Sequence, residues 1–308
     1  DMLMFNAEEA GIVVKFEKKD TPQKVNIKLF RQGPKDIRLN DTKISQKELI
    51  GTLNTVIFCP EDLQLIKGTP SGRRRFLDME ISQTSATYYH QLMQYNRLLQ
   101  QRNAVLKEYR GKNTIPLEEW DLQLADMASF IVKKRLESLK KINLLIDLMN
   151  RKFTGGLENL TIGYEQPYMD NGSLEYTKEG FYERIKAALP QDRHRLSTSV
   201  GPHRDDLRFF SDAMDLKKFG SQGQQRTAVL SLKLSELEFI KSEVGEYPVL
   251  LLDDVLSELD ESRRANLLQF IHKRIQTFIT TTDIHDFKDL KSVQFISCEG
   301  GQVQYGQP

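Results

Sequence analysis

The feature of this sequence that most constrains the fold is an apolar run ending in two carboxylates, Val249-Leu250-Leu251-Leu252-Asp253-Asp254. The run is too short to span a membrane, and it lacks the apolar–polar alternation of a half-solvated strand. It therefore predicts a parallel β-strand that is buried on both faces. Open α/β sheets bind ligands at the carboxyl ends of such strands, which makes Asp253 and Asp254 candidate site residues. The alternative is that the two acids merely begin a solvated turn.

A helix N-terminus is predicted upstream of that strand, in Ser221-Gln222-Gly223-Gln224-Gln225-Arg226. Ser221 and Gln224 have the spacing of a capping box, and Gly223 would let a ligand approach the N–H groups of the first turn. The sequence that follows is rich in Glu, Lys and Leu, which favours a helix that is apolar on more than one side. The pattern predicts an anion site at the start of this helix.

The two segments together suggest nucleoside triphosphate hydrolysis. A strand-terminal Asp suits Mg²⁺, which prefers oxygen ligands, and a neighbouring acid can orient or deprotonate a water. A glycine-rich phosphate loop is absent from these residues. The Gly111-Lys112 pair has Leu106 where the pattern needs Gly and Asn113 where it needs Ser or Thr. The sequence therefore carries a Walker B-like strand without a Walker A element.

Composition narrows the class of protein. A length of 308 residues allows about two domains and a substantial core. The formal net charge of +1 means that any nucleic-acid surface must be a local patch. Cys59 and Cys298 lie in apolar strand-like segments and lack metal-ligand spacing, so we expect buried free thiols in a reducing compartment. No signal peptide or long apolar run is present, which predicts a cytoplasmic protein with no membrane association.

The rest of the sequence predicts an α/β protein with a helical insertion. Residues 11–40 read as an antiparallel meander with one solvated face. Two long helical segments, 73–110 and 117–153, predict an antiparallel arm or small helical domain. Further strands are predicted at 56–58, 160–164, 196–200 and 277–282, and a terminal hairpin at 293–297 and 302–305.

Two basic groups are candidate DNA contacts. Arg73, Arg74 and Arg75 are adjacent cations at a helix start, where the helix dipole disfavours them. An anionic partner or nearby carboxylates would offset that cost. Lys133 and Lys134 lie in a basic run on the second long helix and could face a phosphate backbone. A solvated helix face is the more common meaning of such a run.

Five segments in chain order carry the motifs of a known family. Residues 221–225 resemble the signature of ATP-binding-cassette (ABC) ATPases, residues 250–254 their Walker B motif, and Ser257-Glu258-Leu259-Asp260 their D-loop. Two further segments, Pro60-Glu61-Asp62-Leu63 through Arg73 to Asp78 and Gly201-Pro202-His203-Arg204-Asp205-Asp206-Leu207, narrow the match. With these, the chain resembles the RecF family of bacterial recombination mediators over essentially its whole length.

The resemblance implies an α/β fold of the ABC ATPase type, similar to the heads of structural-maintenance-of-chromosomes (SMC) ATPases. Such a head has a mixed central sheet, an antiparallel β meander and an inserted all-helical lobe. Residues 1–68 would form the N-terminal part of the head, 69–155 the helical lobe, and 156–308 the C-terminal part with the signature, Walker B and D-loop. The family's Walker A segment would be missing from these residues, so they alone should hydrolyse ATP poorly or not at all.

The function implied by the resemblance is that of an ATP-dependent mediator of DNA repair and replication. Such a protein dimerises on DNA, at duplexes or single/double-strand junctions, with two ATP molecules between the subunits. It hydrolyses ATP slowly, and it cooperates with RecR and RecO in placing RecA at gapped DNA.

The resemblance also implies a role for each motif residue. Asp253 would hold Mg²⁺, and Asp254 would activate the attacking water. The signature would meet the ATP of the partner subunit, the D-loop would lie at the dimer interface, and a switch position would follow the last core strand. The residues of these three groups are Ser221, Gln222, Gly223 and Gln224; Ser257, Glu258 and Asp260; and Thr282 and Asp283.

Two other functions remain open from the sequence. Asp205, Asp206, Asp253 and Asp254 could form the two-metal cluster of a nuclease, although that would leave the signature and D-loop unused. Alternatively, the chain could be a DNA-binding head that has lost nucleotide chemistry.

Overall fold

The computed structural model describes residues 2–109, 116–168, 176–282, 287 and 293–306. Short 3-10 turns at Pro60–Leu63, Pro202–Arg204 and Leu256–Glu258 accompany the regular elements. The strands are β1 Glu9–Lys18, β2 Thr21–Phe30, β3 Asp36–Leu39, β4 Thr42–Ile44, β5 Thr55–Phe58, β6 Leu160–Glu165, β7 Asp206–Ser211, β8 Met214–Asp215, β9 Val249–Asp253, β10 Thr277–Thr280, β11 Phe295–Glu299 and β12 Gln302–Gly306. The helices are α1 Gln46–Leu49, α2 Gln64–Lys67, α3 Pro70–Thr84, α4 Ala86–Glu108, α5 Glu118–Thr154, α6 Lys178–Ala187, α7 Leu189–Arg195, α8 Leu216–Phe219, α9 Gln222–Val244 and α10 Glu261–Ile271.

The N-terminal strands β1 to β4 form an antiparallel meander, in that order, as predicted. Two of its turns are tight two-residue hairpins whose central residues have positive φ. These are Lys19 and Asp20, at 47° and 60°, and Asn40 and Asp41, at 50° and 66°. Such turns match the right-handed twist of the strands they connect, which fixes the register of the sheet.

The predicted parallel strand β9 lies between β10 and β5 and runs parallel to both. Its inward residues Leu250 and Leu252 are buried in the core. The opposite face is not covered by the described residues, because Ile57 and Phe278, the register neighbours of Leu251, are 51% and 52% exposed. The prediction of strands buried on both faces is therefore correct for one face and wrong for the other.

The helical segment predicted as one helix at 73–110 is two helices, because Ser85 interrupts it. Ser85 has extended backbone dihedrals, and its hydroxyl accepts a hydrogen bond from Tyr88 N at 3.2 Å, which caps α4. The long helix α5 ends at Gly155, whose φ of 65° is the left-handed value of a common helix stop.

One hydrophobic core connects these elements. Helix α5 packs against α4, α6 and α9, and α9 also contacts α3 and β5. Because α9 has neighbours on several sides, it is buried around most of its circumference, as its composition predicted. The division into residues 1–68, 69–155 and 156–308 stays a prediction.

The remaining strands form two small antiparallel sheets. The first has the order β6-β7-β8, and the second is the predicted C-terminal hairpin β11-β12. The strand predicted at 196–200 is not formed, because Leu196 has a left-handed φ of 54° and ends α7. None of the described helices has an apolar stretch of the length and hydropathy needed to cross a bilayer.

Candidate functional site

The Walker B-like acids lie at the carboxyl end of β9, and both are exposed. Thr280, the register partner of Asp253 on β10, donates a hydrogen bond from Oγ1 to Asp253 Oδ1 at 2.7 Å. The same hydroxyl oxygen accepts a hydrogen bond from the backbone N–H of Asp254 at 3.1 Å. Asp254 has a φ of 51°, a left-handed value that turns the chain sharply out of the strand.

Thr280 is a site residue that sequence reasoning missed. The prediction placed the switch position at Thr282 and Asp283. Thr282 is exposed, and Asp283 lies outside the described residues. Thr280 was detectable in principle, since the ends of adjacent parallel strands meet at one edge of a sheet.

The arrangement suits a Mg²⁺ ion shared with a phosphate ligand. Asp253 Oδ1 is engaged by Thr280, and within the described part of the chain no hydrogen bond occupies Oδ2. No group of three or more His, Cys, Asp or Glu side chains arranged to bind a metal occurs among the described residues. A cation here would therefore bind one carboxylate, with phosphate and water completing its shell, as Mg²⁺ commonly does.

The predicted capping box is present at the start of α9. Ser221 Oγ accepts a hydrogen bond from Gln224 N at 3.2 Å, and Gln224 Oε1 accepts one from Ser221 N at 3.0 Å. The buried Gln225 donates to Leu216 O at 2.7 Å and so fixes the preceding turn. Ser221 and Gly223 are exposed, and a Cβ added at Gly223 would meet only Ser221 Oγ, at 4.0 Å. The first turn is therefore rigid and accessible, as an anion-binding helix N-terminus must be.

The D-loop is joined to the signature helix within the same chain. Arg226 Nη2 lies 2.6 Å from Glu258 Oε2, and Arg226 Nη1 donates to the backbone carbonyl of Glu258 at 3.2 Å. Ser257 Oγ donates to Asp254 O at 2.8 Å, which connects the D-loop to the Walker B acid. Asp260 caps α10 by accepting a hydrogen bond from Arg263 N at 2.9 Å. The loop is thus held at both ends.

A buried charge cluster anchors the middle of α9. Lys233 Nζ lies 3.3 Å from Asp62 and 3.3 Å from Glu236. Burial acts to lower the pKa of Lys233, but Glu236 and Asp62 outweigh it, so the net pKa is raised and the ammonium stays charged. Burial also raises the pKa of the nearby Glu80 to about 7. The cluster holds α9, α3 and the turn at Pro60–Leu63 together.

Sequence comparison identifies the family of this chain. No family model matches it. The DNA replication and repair protein RecF of Alkaliphilus oremlandii is 46% identical over 294 residues, which is 94% of this chain and 80% of the relative. The protein of the same name from Clostridium botulinum is 44% identical over 304 residues, or 97% of this chain and 83% of the relative. The chain belongs to the RecF family.

Solved RecF structures have the same fold. Complexes of the recombination mediator RecF with ATPrS and with ATP, both described as belonging to the RecFOR pathway, superpose with TM-scores of 0.89 and 0.88. Each is 35% identical and covers 98% of this chain, and the chain covers 81% and 82% of them. An SMC head bound to the winged-helix domain of ScpA gives a TM-score of 0.53 at 14% identity, over 97% of this chain and 74% of the SMC head. The predicted ABC-type head is confirmed.

Within this RecF fold, the arginine triplet is largely internal. Arg73 donates through Nε and Nη2 to the Asp206 carboxylate at 2.7 Å and 2.8 Å and is 3% exposed. Arg74 Nη1 donates to Asp205 O at 2.7 Å. Nearby protein groups therefore offset the charge of these two cations at the start of α3. Arg75 is exposed and stays a candidate DNA contact.

The lysine candidates lie on α5. Lys133 is exposed, and Lys134 forms an ion pair with Glu137 at 2.9 Å. Both stay candidates for DNA binding.

The acids of the RecF-like motif at 201–207 are also internal. Asp205 is fully buried, accepts a hydrogen bond from Tyr168 Oη at 2.6 Å, and lies 3.3 Å from Arg135 Nη1. Asp206 is paired with Arg73. These two acids and the Walker B acids do not form a metal-binding group among the described residues. The described residues therefore give no support to a two-metal nuclease, because Arg73, Arg135 and Tyr168 already bind two of the four carboxylates it needs.

Proposed function

We propose that this RecF-family chain is the ATP-dependent, DNA-binding part of a recombination mediator in DNA repair and replication. Support comes from RecF relatives that are 44% and 46% identical and from the similarity to RecF in complex with ATP. The observation in the chain itself that carries the proposal is the rigid, open N-terminus of α9 at Ser221, connected through Arg226 and Glu258 to the Walker B loop.

Each subunit contributes to two nucleotide sites in this proposal. Asp253, oriented by Thr280, holds Mg²⁺ on the nucleotide of its own subunit, and Asp254 orients or deprotonates the attacking water. Ser221 and the N–H groups near Gly223 meet the γ-phosphate of the ATP bound by a second copy. An ATP bound between two subunits would then favour dimerisation, because it gains contacts only in the dimer.

The cellular role that follows is the placement of RecA at gapped DNA together with RecR and RecO. ATP binding converts the protein to a dimer on DNA, and slow ATP hydrolysis returns it to the monomer. The reducing cytoplasm suits the two free cysteines, although the prediction that both thiols are buried is wrong, because Cys59 is half-buried and Cys298 is exposed.

Ser221→Arg tests the signature assignment in the protein as its gene encodes it. We expect sedimentation with ATP and Mg²⁺ to show the parent shifting to a dimer and the variant remaining monomeric, because the new side chain fills the phosphate position. Ser45→Arg is the matched control, since Ser45 closes a capping box with Glu48 on α1 in the same way. An equal ATP-induced dimer fraction in Ser221→Arg and the parent would contradict the proposal.

Asp254→Asn provides the second arm of this experiment. The variant should still dimerise with ATP, and its dimer should dissociate more slowly than the parent dimer because the water is no longer activated. If DNA binding by the parent shows no response to ATP, the chain is instead a DNA-binding head without nucleotide chemistry.

A further inference from the structure

The outward face of the meander carries a set of cations that no motif accounts for. We call it the basic meander face. Directly paired residues in an antiparallel sheet lie on the same face, so the strand register defines its members. Its cations are Lys15, Lys24, Lys28, Arg38 and Lys43.

Like charges oppose each other twice on this face. Lys15 of β1 pairs in register with Lys24 of β2, and Arg38 of β3 pairs with Lys43 of β4. Side chains directly opposite in an antiparallel ladder have Cβ atoms only about 5 Å apart, and like charges there destabilise the sheet. Two such pairs on one face are a local cost to folding that an anionic partner would remove.

Neighbouring carboxylates neutralise only part of this charge. Lys24 pairs with Asp41 at 3.2 Å, and Arg38 and Lys43 share Asp36 at 3.0 Å and 3.9 Å. Lys15 and Lys28 are exposed, and neither makes an ion pair within 4.0 Å in the described part of the chain.

The acids Glu9 and Glu17 lie at the two ends of β1 on the same face. Lys15 lies two residues from Glu17 along β1, and Lys28 pairs in register with Asp36 of β3. The two lysines without an ion pair therefore lie toward opposite ends of the face, and Arg38 lies between them in the register.

The charge is also concentrated in this part of the sequence. Residues 9–44 contain nine Lys and Arg against five Asp and Glu, a net charge of +4, whereas the whole chain has +1. The opposite face of the meander is apolar, with Ile12, Ile27, Ile37 and Ile44 in one row across the four strands. Five of these nine cations, the members of the basic meander face, therefore share one side of the sheet, as a local nucleic-acid patch requires.

We propose that the basic meander face binds the phosphate backbone of duplex DNA. This inference rests on the proposed DNA-binding function and assigns it a surface distinct from the motif candidates Arg75, Lys133 and Lys134. Same-face residues along a strand are about 7 Å apart and neighbouring strands about 5 Å apart, so the five cations form a closely spaced array that Glu9, Glu17 and Asp36 interrupt. Such an array suits the regular, dense charge of a duplex and reads no base sequence.

The test is DNA binding by Lys15→Glu/Lys28→Glu in the protein as its gene encodes it. Fluorescence anisotropy with a labelled 30-base-pair duplex should show weaker binding. The slope of log K against log [salt] should become less negative by about 2, since each lost phosphate contact removes about 0.9. Lys15→Gln/Lys28→Gln should also bind the duplex more weakly than the parent, but with a smaller loss of affinity. Thermal melting checks that each variant is folded.

Lys107→Glu/Lys178→Glu is the matched control, because it makes the same change in net charge at two exposed lysines on other elements. It should keep the slope of the parent. An unchanged slope for Lys15→Glu/Lys28→Glu overturns the proposal, as does an equal loss in the control.

Competition with polyglutamate tests whether the ligand of the face is an acidic protein and not DNA. If polyglutamate binding, but not duplex binding, is lost in Lys15→Glu/Lys28→Glu, the face binds protein and the proposal is wrong. A parent that binds no duplex at all would instead refute the proposed function on which the inference rests.

Discussion

Arg135 is the residue whose replacement tests the buried polar network most directly. It is 2% exposed on α5, and its guanidinium donates to both oxygens of Asp78, at 2.9 Å and 3.0 Å. It also donates to Pro202 O at 2.7 Å and lies 3.3 Å from Asp205 Oδ2. One side chain thus connects α5, α3 and the motif at 201–207.

Replacing Arg135 with Met keeps most of the side-chain volume and removes the charge. Asp205 is fully buried, so it would remain as an uncompensated charge or take up a proton. Breaking a buried ion pair from one side costs about 4 kcal/mol, and we expect that loss in the free energy of unfolding. For a chain of this size, the melting temperature should fall by about 10 °C.

The loss should also depend on pH in a defined direction. Burial already raises the pKa of Asp205, and Arg135 opposes that rise. Without Arg135, the pKa of Asp205 rises further. A carboxyl whose pKa is higher in the folded state than in the unfolded state destabilises the folded state as the pH increases past the unfolded-state pKa of about 3.8. The loss of unfolding free energy in Arg135→Met, relative to the parent, should therefore be larger at pH 8 than at pH 5.

Urea unfolding followed by circular dichroism at the two pH values measures both effects. Lys140→Met is the control, because Lys140 is an exposed cation on the same helix and its replacement should change stability by less than about 0.5 kcal/mol. A loss below about 1 kcal/mol for Arg135→Met, or a deficit that shrinks at pH 8, would refute the reasoning.

Two further predictions concern the same motif. Burial lowers the pKa of His203 to about 4, so its contribution to stability is full above the unfolded pKa of about 6.5 and is lost as the pH falls toward 4. Between pH 7.5 and pH 5, the free energy of unfolding measured in urea should fall by about 2 kcal/mol more in the parent than in His203→Gln. Gly201 has a φ of 131°, and an added Cβ would collide with Tyr95 Oη, so Gly201→Ala should cost at least about 2 kcal/mol. A melting temperature within 2 °C of the parent for Gly201→Ala would contradict the steric argument.

Local patterns predicted the elements that carry the nucleotide motifs. Four apolar residues before Asp253 indicated a parallel strand, and the spacing of Ser221 and Gln224 indicated a capped helix. Both predictions are confirmed, because strand periodicity and capping depend on residues that are close in sequence. The helix break at Ser85 was missed, since the apolar pattern continues through it and the cap uses one hydroxyl.

Partners that are distant in the sequence could not be found in this way. Three adjacent arginines indicated an anionic partner or nearby carboxylates, but not which; the carboxylate beside Arg73 is that of Asp206, 133 residues away in the same chain. The pairing of Thr280 with Asp253 likewise depends on which strands are neighbours in the sheet.

The sequence by itself determined the family, the α/β class, the order of the motifs and the local capping at Ser221. Those properties depend on residue type and short spacing. Only the tertiary structure decided that Asp205 and Asp206 are bound by Tyr168, Arg135 and Arg73, and that like charges meet across the meander. Register and long-range packing bring these side chains together, and neither is encoded in any single stretch of the chain.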